Sequence, residues 1–177
     1  MQFNPRFIPA AVMAALAVSS SAFASDGTIS FEGAVSDATC NISVNGSGPD
    51  GTVTLPTVSL NSLAQAGDTA GTTPFRIALS GCAGTANTAR AYFEPGPTVD
   101  PVQGKLRNTG GTAGNVYLAL LDSNHAPLHL GDPALQNDAP VDISGGGELG
   151  YHAQYYAVGP ATAGSVLSLV NYTIVYE

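Results

Sequence analysis

The chain has 177 residues, enough for one domain with a hydrophobic core. Only 10% of them are charged, Trp is absent, and 21 Gly and 12 Pro punctuate the rest. That composition suits short strands and turns, and argues against charge-driven disorder and against a cofactor-loaded catalytic surface. A net charge of −8 with five scattered basic residues excludes a nucleic-acid binder, because phosphate contacts need clustered Lys and Arg.

In chain order, residues 1–24 read as a cleaved secretory signal peptide. Arg6 supplies the positive start, Ile8 to Val18 a short apolar run, and Ala22-Phe23-Ala24 a small-x-small cleavage site. Losing Arg6 leaves four basic residues against thirteen acidic ones, a net charge of −9. Residues 25–36 follow as a linker-like extension in which Ile29, Phe31, Gly33 and Val35 alternate onto one face. Taken alone, that stretch reads as an edge strand of its own domain. Export gives the two cysteines, Cys40 and Cys82, a disulfide as their first reading. Free thiols or a metal site are the alternatives, and the sequence places no further ligands nearby.

The domain itself is expected over residues 37–177. Residues 37–44 form the first core strand and 45–51 a turn. Residues 52–55 form a short strand closed by Pro56, and 58–63 another short strand or a meandering edge. Residues 64–73 are a surface loop. Phe75, Ile77 and Leu79 alternate in a strand that delivers Cys82. Strands are expected at 90–94, 105–108, 115–121 and 128–130, with a loop at 131–140. Leu149, Tyr151, Ala153 and Tyr155 share one face of a strand at 148–158. The last strand, from Ser165, is the most regular: Val170, Tyr172, Ile174 and Tyr176 point one way. Leu167 and Leu169 fall out of that phase, which predicts a bulge or twist near Leu169. No segment outside the signal has helical periodicity. Roughly eight to ten short strands separated by turn signals indicate an all-β antiparallel sandwich.

Catalytic patterns are missing. His125 and His129 are separated by Pro127, and with His152 they read as loop or surface residues. Asp138 and Asp142 flank Pro140 in loop sequence. Gly46-Ser47-Gly48 is a turn, and the Gly145–Gly147 run opens no helix. The expectation is no enzyme, no metal and no cofactor.

Four features together resemble the chaperone–usher pilins, most closely the major subunit of type 1-like fimbriae. They are the alternating segment Gly27 to Val35, the pair Cys40 and Cys82, the stretch Leu149-Gly-Tyr-His-Ala-Gln-Tyr155, and an ending with Gly164 fourteenth from the end and Tyr176 penultimate. The resemblance implies an incomplete immunoglobulin-like sandwich lacking its last strand, with a hydrophobic groove beside the C-terminal strand. It implies a donor strand built on Ile29, Phe31, Gly33 and Val35 that fills the groove of another pilin subunit in a linear polymer. A periplasmic chaperone and an outer-membrane usher are the implied assembly partners. The groove edge read by the chaperone would be Gly164, Val170, Tyr172, Ile174 and Tyr176. The product would travel through the periplasm to a surface fimbrium used for adhesion. The other readings are a minor or tip subunit and a monomeric secreted immunoglobulin-like binding module.

Overall fold

The computed structural model describes residues 29–136 and 138–177. The expected signal segment 1–24 lies outside them, as do residues 25–28 of the extension. Residues Val35–Glu177 form one compact unit. Residues 29–38 carry no strand, and Ile29, Phe31 and Val35 are 80%, 91% and 102% exposed.

Among the described residues nine strands follow in order: β1 Thr39–Val44, β2 Thr69–Ala83, β3 Thr88–Phe93, β4 Val99–Asp100, β5 Lys105–Arg107, β6 Val116–Leu121, β7 Val141–Asp142, β8 Gly147–Ala157 and β9 Tyr172–Tyr176. They make two antiparallel sheets, one ordered β1-β2-β8-β6-β5-β4 and one ordered β7-β3-β9. The alternation read in the sequence determines the layering. Phe75, Ile77 and Leu79 of β2 and Leu149, Tyr151 and Ala153 of β8 are buried. They face Ala89, Ala91 and Phe93 of β3 and Ile174 of β9 across one core. Tyr151 sits at its centre, stacked on Phe75 at 5.6 Å and edge-on to Phe93 at 5.0 Å. Cys40 and Cys82 are joined as a disulfide, tying β1 to the end of β2.

Several local expectations are corrected. The loop expected at 64–73 gives way to β2 at Thr69, because Thr69–Pro74 pair with β8. Pro74 is tolerated there. Arg76 and Asn45 exchange bonds on the β1 side, and β1 ends at Val44, so two residues earlier Pro74 faces an empty edge where its missing N–H costs nothing. Irregular pairing between Ala70 and Thr73 follows from Gly71, whose φ of +68° only glycine adopts freely. Residues 52–55 and 58–63 are not ladder strands. The first is unpaired, and Leu60–Leu63 is a 3-10 turn started by the Ser59 hydroxyl, which accepts from the Asn61 N–H. Leu128 to Leu130 makes no strand. β4 and β7 are two-residue strands that the sequence reading passed over.

On the side of β3 away from β9, β7 reaches only Thr88 and Ala89, so the rest of that edge needs another partner. The loop before β7 supplies it. The amide of Gln136 accepts from the Phe93 N–H and donates to the Phe93 carbonyl, both at 2.9 Å. The Tyr151 hydroxyl accepts from the Ala91 N–H and donates to Asp138. Burial first, and then Asp138, pushes the Tyr151 phenol well above its ordinary range.

Candidate functional site

The C-terminal segment has two parts. From Tyr172 to Tyr176 it is a regular edge strand on β3, pairing Tyr172 with Phe93, Ile174 with Ala91 and Tyr176 with Ala89. From Ser165 to Asn171 it runs on without a ladder, and its odd-numbered residues hold it to the neighbouring loops. The Ser165 carbonyl accepts from the Ala113 N–H at 2.9 Å. The Leu167 carbonyl accepts from Thr109 and Gly110, and its N–H donates to Asn108 Oδ1 at 2.8 Å. The Leu169 carbonyl accepts from the Thr98 hydroxyl at 2.6 Å, and the Asn171 carbonyl from the Glu94 N–H at 2.8 Å.

In an extended chain, successive residues aim their backbone groups at opposite sides. The N–H and C=O groups of Val166, Ser168 and Val170 therefore face the other way, and among the described residues they meet no hydrogen-bond partner. Burial alternates without a break from Val166 to Ile174, with the even-numbered residues inward. The phase shift expected near Leu169 does not occur. Leu167 and Leu169 point outward despite being apolar, because their own backbone bonds to Asn108 and Thr98 set the register.

Opposite this wall runs a second one, residues 49–55. It inserts Val53 and Leu55 toward the core, while its backbone from Asp50 to Val58 makes no hydrogen bond among the described residues. Between the walls lies an open groove of about 680 Å³. Its floor is apolar, built from Phe75, Ile77, Phe93, Leu106, Leu118 and Leu120. Ser168 contributes a buried hydroxyl with no partner. Tyr172 crosses the groove end, donating its hydroxyl to the Pro49 carbonyl at 2.7 Å. Burial, and next Asp50, raise that phenol's pKa, so it stays a donor.

The expected edge residues divide accordingly. Val170 and Tyr172 line the groove. Ile174 and Tyr176 lie in the ladder with β3. Gly164 packs against the neighbouring loop at the start of the wall, where a Cβ would meet Ala113 N at 2.4 Å. The second wall and the floor escaped sequence reading as site residues. Their only signal was the alternation of Val53 and Leu55 between Pro49 and Pro56. On the extension, Gly33 has nothing within 4 Å of the position its Cβ would take.

The histidines and acids form no second site. His125 stacks on His152 at 3.9 Å, and Asp142 binds the Ser144 N–H and hydroxyl. No group of three metal-ligating side chains occurs among the described residues.

A family model described as "Type-1 fimbrial protein, A" matches residues 55–177. The chain is 47% identical over 162 residues to the major fimbrial subunit SMF-1 of Stenotrophomonas maltophilia, covering 87% of this chain and 94% of that one. It is 45% identical over 177 residues to the F17 fimbrial protein of Escherichia coli, covering 92% and 94%. Among solved structures it resembles the P pilus rod subunit PapA, with a TM-score of 0.55 at 19% identity over 78% of this chain and 99% of that one. A type I fimbria protein of Burkholderia pseudomallei gives 0.54 at 24% identity, covering 80% and 97%. The fold is thus the incomplete immunoglobulin-like fold of pilins. The chain belongs to the type-1 fimbrial protein family: it is a non-enzymatic structural subunit that polymerises with other pilin subunits into a cell-surface fimbrium.

Proposed function

We infer that this chain is a major pilin that polymerises by donor-strand exchange, residues 25–36 of one subunit filling the groove of the next. The observation that carries this reading is the groove itself: an apolar floor between two walls whose facing backbone groups lack partners. An added strand satisfies both walls at once, and its alternate side chains fill the floor. The extension has the matching pattern. Ile29, Phe31, Gly33 and Val35 offer four positions at a spacing of two, as Val166, Ser168, Val170 and Tyr172 do on the wall. Burying Ile29, Phe31 and Val35 fully is worth about 1.5–3 kcal/mol each, before the cost of ordering the segment. Donor and acceptor surfaces differ, so the contact does not close on itself and generates a filament. The resemblance to the family adds an exported precursor with a signal peptide over residues 1–24. In the periplasm a chaperone lends a strand to the groove, reading the edge marked by Gly164 and Tyr176. An outer-membrane usher then exchanges that strand for the next subunit's extension.

Replacing Gly33 by Leu tests the reading. Within its own chain nothing approaches that Cβ position, so the variant subunit should fold with an unchanged melting temperature. It should stay monomeric on gel filtration under conditions where the parent chain polymerises. Normal filaments from the Gly33→Leu chain would sink the donor assignment.

A further inference from the structure

The two groove walls are held very differently. Wall 165–171 is bonded along its outer side to the loops around Glu94, Thr98 and Asn108. In the other wall, 49–55, and on to Val58, residues 50–58 make no hydrogen bond among the described residues. This stretch rests on the side chains of Val53, Leu55 and Val58, and on Gly51, where a Cβ would meet Val44 at 2.4 Å. Water disfavours an open apolar floor, and the wall without hydrogen bonds is the one free to fold over it. One polar tie links the two walls among the described residues, from the Tyr172 hydroxyl to the Pro49 carbonyl at 2.7 Å. Its Tyr172 end is rigid, because that backbone pairs with Phe93 of β3.

We propose that the Tyr172 hydroxyl is a strap that holds wall 49–55 at strand-accepting width, which makes Tyr172 a positioning residue for the donor. This rests on the donor-strand reading above. Before insertion the strap keeps the groove open at the Pro49 end. After insertion the donor's own backbone bridges the walls and the strap is redundant. Its removal therefore reduces the fraction of subunits whose groove is open and slows capture, while the completed complex is little changed.

The test uses the full secreted chain, refolded with its disulfide and carrying Phe31→Asp so that its own extension does not compete. A fluorescein-labelled peptide of residues 25–36 is the probe. Tyr172→Phe keeps the ring on the groove and removes only the hydroxyl. The expected result is an association rate lower by about 5-fold, the equivalent of one hydrogen bond, with a dissociation rate within 2-fold of the parent. Equal association rates in the two chains would overturn the strap. So would a lower melting temperature without any change in association, which marks a merely structural bond. No saturable binding to the parent chain would overturn the donor-strand reading and the strap with it.

Discussion

Replacing Gly164 by Ala separates a structural demand from a recognition mark. In the resemblance this glycine belongs to the edge a chaperone reads. In the structure it sits where the chain ahead of the groove wall passes close to Thr112 and Ala113. A Cβ built there would lie 2.4 Å from Ala113 N and 2.6 Å from both Thr112 C and Thr112 Oγ1. Two of those three are backbone atoms, which cannot swing aside as the end of a flexible side chain would. The chain must shift, and overpacking of this kind costs about 1–3 kcal/mol. The shift falls on the bonds from Ala113 N–H to the Ser165 carbonyl at 2.9 Å and from Ser165 N–H to Thr112 Oγ1 at 3.0 Å, each worth about 1 kcal/mol if lost. For a domain of this size that means a fall in melting temperature of roughly 2–12 °C. Urea unfolding of the disulfide-intact chain measures it directly, with the midpoint lowered and the slope unchanged. Gly145→Ala is the matched control. Nothing lies within 4 Å of its Cβ position, so it should stay within about 0.5 kcal/mol of the parent. A Gly164→Ala chain as stable as its control would refute the steric argument and leave recognition as the reason for the glycine.

Two further substitutions probe the frame around the groove. Converting both Cys40 and Cys82 to Ala opens a loop with a sequence separation of 42 residues, and should lower stability by about 4 kcal/mol in urea titrations. A loss below about 1 kcal/mol would mean the β1–β2 ladder alone fixes that corner. Tyr151→Phe removes the hydroxyl shared by Asp138 and the Ala91 N–H, and should cost about 1–3 kcal/mol at neutral pH. It also has a pH signature. The buried phenol titrates above its ordinary value of 10.0, so the unfolded chain releases this proton first. The parent's stability should therefore fall as pH rises past 10, and the Phe variant's should fall less. Parallel alkaline profiles for the two chains would contradict that.

The sequence displayed the parts of the fold in which one periodicity governs a whole strand. The alternation is cleanest where a strand buries a single face: Leu149, Tyr151 and Ala153 of β8 and Ile174 of β9 are buried as the pattern indicates, while Tyr155 and Tyr176 are only partly buried, like their neighbours. β2 was cut short because Thr69 to Pro74 is small, polar and proline-bearing. Its strand character comes from pairing with β8, which no local pattern reports. Residues 52–55 of the second wall are legible as extended, whereas 49–51 read as a turn, and the role of the wall is not legible. A ladder strand and a strand with no partner look identical in sequence. Leu167 and Leu169 were misphased because hydrophobicity suggested an inward direction. The Asn108 side chain and the Thr98 hydroxyl fix the backbone so that Val166 and Ser168 face inward instead.

On the donor-strand reading, the polar rims explain why the groove would select a strand rather than any apolar occupant. Apolar side chains alone could cover Phe75, Ile77 and Leu120, and each would gain from leaving water. They would also strip water from the backbone groups of Val166, Ser168 and Val170 and from those of the facing wall. Each such group left unpaired costs about 1–3 kcal/mol. Three or more of them offset most of what a few buried side chains contribute. Only an extended backbone supplies donors and acceptors to both rims at the strand spacing while still delivering side chains to the floor. On that reading, backbone pairing restricts the occupant to a β-strand. The floor then decides which strand, through the sizes it admits at alternate positions.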